Sequence, residues 1–298
     1  MIQYLYLGRV DYEEGLRLQT EITAAVSEGR LGNVLLLLEH PPVLTLGRNA
    51  DRANVLASDE MLARRGVTVH EINRGGDVTY HGPGQLVGYP IFDLRSLRGP
   101  GGGRMGPVDF IRLMEEALIR LCGEFGVRAG RIAGLTGVWC GANEGIGNKE
   151  QGTGISAPPE QDLVDQSRSC GPERKIGAIG IHVARGITSH GFAFNVTTNL
   201  RDFELIVPCG IPDHAVTSLE REVDRGVELP DLESIAHQAA RLFGLVFDEQ
   251  VLAVESLAAL REAAAAVKAR EFPAEDTPMR VPVEVERLRG GIEGPVRA

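Results

Sequence analysis

The sequence lacks most of the features that would assign a function directly. No apolar run approaches the ~20 residues of a membrane-spanning helix; the longest, residues 34–38, has the length of a buried strand. The N-terminus, Met-Ile-Gln-Tyr-Leu-Tyr-Leu-Gly-Arg, has no basic start, apolar stretch or small-residue cleavage site of an export signal. A cytoplasmic location is therefore expected, with no membrane partner. Cysteine is scarce: Cys122, Cys140, Cys170 and Cys209 form no Cys-x-x-Cys pair, so a cysteine-rich zinc site is not expected. A chain of this length without an export signal needs no disulfides, and all four read as reduced thiols. No His/Glu cluster has metal-ligand spacing, and the glycines of residues 74–85 match neither G-x-x-x-x-G-K-[ST] nor G-x-G-x-x-G. No metal and no cofactor are expected. Basic residues are outnumbered, giving a formal net charge of −10, which argues against a general nucleic-acid partner.

What is present fits a globular enzyme. The 298 residues suffice for one large domain or two small ones. Hydrophobic residues make up 43% and charged residues 24%, an ordinary balance that excludes wholesale disorder. Apolar spacing predicts helices over residues 12–27, 107–125, 231–243 and 255–270. Strands are expected over residues 2–7, 34–38, 43–46, 67–72, 77–81, 86–93, 131–140, 175–183 and 187–196. The last two are joined by Ala184-Arg185-Gly186 as a hairpin. Residues 99–106 read as a Gly-rich connector, and residues 143–174 as a long polar surface loop. From Phe272 the chain is rich in proline and charge. Strand pairs with short turns outnumber strand–helix–strand units. The expected fold class is therefore α+β, a mixed sheet with flanking helices.

Three segments carry chemistry. The first contains Arg74, Gly75, Gly76, Asp77, Val78, Thr79, Tyr80 and His81, followed by Gly82-Pro83-Gly84-Gln85. Its glycines let a ligand approach the backbone; the plainer reading, which Gly75-Gly76 alone favours, is two turns around a strand. In the second, Lys175 opens the Gly-spaced apolar run Ile176-Gly177-Ala178-Ile179-Gly180. Turned inward, Lys175 could exchange protons near neutrality; at the strand mouth its ammonium would sit in water. The third is Val207-Pro208-Cys209-Gly210-Ile211. A cysteine between Pro and Gly is either an exposed nucleophile near free backbone N–H groups or a small core hydrophobe. Cys122 and Cys140 read as core. His40, His81 and His190 adjoin turns or strand starts, and His214 follows the Cys209 bend.

Taken in order, these stretches resemble one family, the lipoyl(octanoyl) transferases. The resemblance rests on Glu39-His40-Pro41-Pro42-Val43-Leu44-Thr45-Leu46-Gly47-Arg48, on residues 74–85, on Gly137-Val138-Trp139 and on residues 175–180. It continues through His190-Gly191-Phe192-Ala193-Phe194-Asn195-Val196, Val207-Pro208-Cys209-Gly210-Ile211 and Thr217-Ser218-Leu219. It implies the fold of biotin and lipoate protein ligases. It implies Cys209 as nucleophile and thioester carrier, with Lys175 as its acid/base partner. It further implies an acyl site lined by residues 74–81, by Ala178, Ile179 and Gly180, and by Gly191, Phe192 and Ala193. The implied donor is octanoyl-acyl carrier protein. The implied acceptors are lipoyl domains of 2-oxoacid dehydrogenase complexes and the glycine cleavage H protein.

On this reading residues 1–252 form the catalytic domain, and residues 253–298 add a helix and an extension. The 143–174 loop and the tail depart from the family pattern. Because the net charge is negative, attraction of acidic partners would need a local basic rim, for which Arg48, Arg74 and Arg185 are the candidates. Three rivals differ in chemistry: an octanoyl amidotransferase, an ATP-dependent lipoate ligase, and a silent acyl-carrier-binding protein.

Overall fold

The five apolar residues 34–38 explain the layering of the molecule. In a strand, successive side chains point to opposite faces. Leu35 and Leu37 enter one hydrophobic core, while Val34, Leu36 and Leu38 enter another. The strand is buried on both sides, so its sequence runs apolar without alternation. A computed structural model describes residues 1–141, 172–208 and 215–269.

The elements in chain order are β1 (Ile2–Arg9), α1 (Tyr12–Ser27), β2 (Asn33–Glu39), β3 (Val43–Leu46), α2 (Asp59–Arg64), β4 (Thr68–Glu71), β5 (Val78–His81) and β6 (Gln85–Ile91). They continue with α3 (Pro107–Glu124), β7 (Ala129–Ile132), β8 (Leu135–Cys140), β9 (Arg174–Ala184), β10 (Ile187–Asn195), β11 (Ala215–Val216), α4 (Leu219–Glu222), α5 (Leu232–Phe247), β12 (Val251–Ala253) and α6 (Leu257–Ala266). Among the described residues the main sheet runs β12-β1-β2-β6-β10-β9-β8-β7, with β11 added beside β9. Pairs β12/β1, β1/β2 and β11/β9 are parallel and the others antiparallel. A second sheet, β4-β3-β5, packs with α2 and residues 200–206 around Leu44, Leu62 and Phe203. The architecture is the α+β mixed sheet expected from the sequence.

The helices cover the two faces through their apolar stripes. Phe110, Met114, Leu118 and Leu121 of α3 and Ile235, Ala239 and Phe243 of α5 fill one core. Leu18, Ile22 and Val26 of α1 and Leu260 and Ala264 of α6 fill the other. Pro107 opens α3 at a position where its missing N–H costs nothing. Asp231 caps α5 by accepting the Ser234 N–H at 2.8 Å.

The boundary expected at residue 252 falls inside β12, which pairs with β1, and α6 beyond it packs into the core. Helix α2 was not expected from the sequence. It is six residues long and buries only Leu62, so it carries almost no periodic signal. Most of the expected 143–174 loop, and the tail from residue 270, lie outside the described residues.

Candidate active site

A cavity of about 190 Å³ opens where the Gly75–Asp77 turn meets the centre of β9 and β10. Its walls include Arg74, Gly75, Gly76, Asp77, Thr79 and His81 from the first motif. Lys175, Ala178, Ile179 and Gly180 come from β9, and Gly191, Phe192 and Ala193 from β10. These two strands are in register, with Ala178 opposite Ala193 and Gly180 opposite Gly191. Gly180 is required here: an added Cβ would lie 2.7 Å from the Gly75 carbonyl oxygen, closer than side chains tolerate. The first two sequence segments therefore converge on one cavity, with β10 completing that wall.

Two residues of the first motif do not line it. β5 alternates: Thr79 and His81 face the cavity, while Val78 and Tyr80 face the second sheet's core. The Tyr80 hydroxyl donates to Asp202 at 2.9 Å, and its ring packs edge-on against Phe203. Asp77 accepts from the Val78 and Asp51 N–H groups and from Asn54, which ties the turn to the loop after β3.

Arg74 is 8% exposed, and its guanidinium is committed inward. It donates to the Thr45 carbonyl at 2.7 Å, to the Thr45 hydroxyl at 2.9 Å and to the Gly75 carbonyl at 2.9 Å. Arg74 is thus part of the wall and not of an exposed basic rim. Arg48 and Arg185 are exposed.

The histidines around the cavity are neutral. Burial lowers His81 to about 3 and His190 to about 4; Arg74 adds repulsion in both cases. Burial likewise lowers His40 to about 4. Their tautomers follow from their partners. The Gln85 amide N–H₂ is spent on the Tyr80 carbonyl and Asn195, so the Gln85 oxygen accepts from His81 Nδ1–H at 2.8 Å. Nδ1–H of His40 donates to the Val10 carbonyl at 2.6 Å, leaving Nε2 to accept from the Tyr89 hydroxyl at 2.7 Å. His190 adopts a positive φ of 57°, with its N–H on Gln19 and its Nε2 on Asn73.

Lys175 is turned inward and is 8% exposed. Its ammonium lies 4.9 Å from the centre of the Trp139 ring, whose electron-rich face favours a cation. Lys175 also borders a smaller cavity of about 20 Å³ that includes Pro208, Val216 and Asn195. Its carbonyl accepts from the Thr217 N–H at 2.9 Å, and Val216 pairs with it in register. Cys209 and His214 lie outside the described residues. The chain on either side of them, at Pro208 and Val216, stands beside Lys175.

A continuous run of hydrogen bonds joins the two ends of the site. It passes from Arg74 through the Thr45 hydroxyl, His81, Gln85, Asn195 and Thr217 to the Lys175 carbonyl. Sequence reasoning missed Tyr12, Val87, Tyr89 and residues 134–136, which complete the walls. Tyr12, Val87 and Tyr89 look like ordinary core residues of α1 and β6. For Leu135 and Thr136 the only cue was their position just before Gly137-Val138-Trp139.

Comparison with known proteins shows the family and the fold. Residues 11–241 match the family described as the lipoyl protein ligase A/B catalytic domain. An octanoyltransferase of Acidobacterium capsulatum is 56% identical over 259 residues, covering 86% of this chain and 94% of that protein. One from Koribacter versatilis is 46% identical over 288 residues, 97% of each. A bi-partite lipoate protein ligase from Thermoplasma acidophilum shares the fold, with a TM-score of 0.59 at 14% identity over 89% of this chain and 91% of that one. A lipoate-protein ligase A bound with ATP gives a TM-score of 0.56 at 15% identity, covering 89% and 94%. No helix among the described residues is long and apolar enough to cross a membrane.

Proposed function

The chain belongs to the octanoyltransferases of the lipoyl protein ligase A/B family, and on that premise we propose that it carries octanoyl as a thioester on Cys209. The donor is octanoyl-acyl carrier protein. The acceptors are lysines of lipoyl domains in 2-oxoacid dehydrogenase complexes and of the glycine cleavage H protein.

The observation that carries this reading is the position of Lys175. It is an inward lysine in a mostly apolar cavity, beside the two chain segments that flank Cys209. A free cysteine is only a few per cent thiolate at neutral pH, and a neighbouring ammonium favours ionisation. The Cys209 sulfur attacks the donor carbonyl, forming the S–C bond. The C–S bond to the carrier breaks, and its leaving sulfur takes a proton from Lys175. The acceptor amine then attacks the Cys209 thioester. Lys175, now neutral, takes the amine proton, and Cys209 leaves as thiolate.

Exchange between thioesters is nearly isoenergetic and the final amide lies downhill, so no nucleotide is consumed. The octanoyl tail runs along Ala178, Gly180, Gly191 and Ala193. Burying about six methylenes at ~0.8 kcal/mol each contributes roughly 5 kcal/mol to binding. Arg48 and Arg185, both exposed, supply the local positive charge that an acidic carrier needs against the net charge of −10.

Intact-protein mass spectrometry after incubation with octanoyl-carrier tests the assignment. The wild type gains one octanoyl group without ATP, and Cys209→Ala gains none. Lys175→Ala acylates more slowly by about 10²- to 10⁴-fold. An adduct that persists in Cys209→Ala refutes the nucleophile, and a strict ATP requirement points to a ligase instead.

A further inference from the structure

We propose that Gly137, fixed by the buried carboxylate of Glu115, is a positioning residue that aims Lys175 at the reacting sulfur. This rests on the acid/base role of Lys175 given above. Three features of β8 and β9 meet at this point. The pairing slips between Val138 and Trp139: Val138 stands opposite Gly177, but Trp139 stands opposite Lys175. Such a bulge turns the side chains on either side of it. Gly137, next to the slip, has φ +125°, a backbone conformation that residues with a Cβ rarely adopt. An added Cβ there would lie 2.7 Å from Lys175 Cε and 2.5 Å from the Gly177 carbonyl oxygen. The lysine stem therefore lies directly against the bare Cα of Gly137.

Glu115 of α3 holds that Cα in place. Its side chain is fully buried, and one carboxylate oxygen accepts the Gly137 N–H at 3.0 Å. The other oxygen takes Arg112 at 2.7 Å and Arg131 at 3.1 Å. A buried carboxylate paired with partly exposed arginines is a poor source of net stability, because desolvation of the carboxylate cancels much of the attraction. Its definite product is geometric: it ties α3 to β8 at the residue against which Lys175 rests.

The test is a double-mutant cycle on the full-length enzyme, read as the rate of acylation by octanoyl-carrier. A misplacement of about 1 Å in a catalytic group costs on the order of 10²-fold. Gly137→Ala should therefore slow acylation about 100-fold with the donor KM unchanged. In a Lys175→Ala background the same substitution should change the rate by no more than about twofold, because its target is gone. Glu115→Leu should follow the same pattern, and Glu115→Gln, which keeps an acceptor for the Gly137 N–H, should recover most of the loss. If Gly137→Ala fails to fold, the Glu115 pair read in the same cycle decides the matter. Equal slowing with and without Lys175, or no slowing where Lys175→Ala is slow, overturns the positioning role alone. Full activity of Lys175→Ala overturns the lysine assignment and this inference with it.

Discussion

Ala193→Val reads the cavity as a ruler for chain length. Ala193 is 4% exposed and lies on β10 between Ala178 of β9 and Val87 of β6, and all three line the cavity. Valine suits a strand, and its two extra carbons project into space that the octanoyl tail would fill. Displacing two methylenes at ~0.8 kcal/mol each removes about 1.6 kcal/mol of binding, or roughly 15-fold in relative affinity. A hexanoyl chain, shorter by those two carbons, loses nothing. The assay is a competition between hexanoyl- and octanoyl-carrier, with the two acyl-enzymes resolved by intact mass. The octanoyl preference should fall by about an order of magnitude. The substitution fills existing space, so the melting temperature should hold, whereas true overpacking costs ~1–3 kcal/mol. An unchanged acyl ratio in a stably folded variant would place the tail away from the β10 wall and refute the reasoning.

Acid should destabilise the fold earlier than carboxylate titration alone would suggest. His81 is held down to about 3, and His40 and His190 to about 4, mainly by burial. The unfolded chain takes up these protons near pH 6.5, so below that pH it binds more protons than the native state. Stability is complete above about 6.5. It then falls as pH drops toward 4, by up to ~1.4 kcal/mol per histidine per pH unit. Urea midpoints at pH 7, 6 and 5 measure this, and a flat series would show that these rings are not buried neutral. Thiol chemistry gives a further check. Burial pushes Cys140 up to about 12 and Cys122 well above the ordinary thiol value. Iodoacetamide should therefore leave both unmodified in the native protein and alkylate both once urea unfolds it, as mapped by peptide mass. Native labelling of Cys122 would overturn its core assignment.

Much of this fold is legible because burial and periodicity agree. The expected helix over residues 12–27 coincides with α1, and α3 starts at the expected Pro107 and ends one residue short of expectation. The strands that escaped notice, β11 and β12, have two and three residues. A pattern of period two cannot be recognised over that length. The site was legible where its residues are odd for their setting, such as glycines inside strands, a lysine opening an apolar run, or an arginine beside paired glycines. Val78 and Tyr80 were grouped with the site because a motif was read as a block, whereas a strand offers only alternate residues to one face. Tyr12 and Tyr89 were invisible for the opposite reason. Each is an apolar-looking residue in a good helix or strand, and only the meeting of α1 with β6 brings them to the cavity.

The polar residues around the cavity have a mechanical reason to be there. Walls built from glycine and alanine let a chain approach closely, but they give the backbone little to hold its shape, since glycine is the most conformationally free residue. Rigidity must then come from outside the wall. The bonds from Arg74 through Thr45, His81, Gln85, Asn195 and Thr217 to the Lys175 carbonyl supply it on one side. The Glu115 cluster supplies it on the other. Both supports act at Lys175, one through its backbone and one through the residue its side chain rests on. A neutral His81 is a condition of the first support: a second ring proton would leave Nε2 no lone pair for the Thr45 hydroxyl and would add a charge beside Arg74. The low histidine values and the inward lysine are therefore one arrangement, in which the shape of the cavity and the placement of Lys175 are set by the same hydrogen bonds.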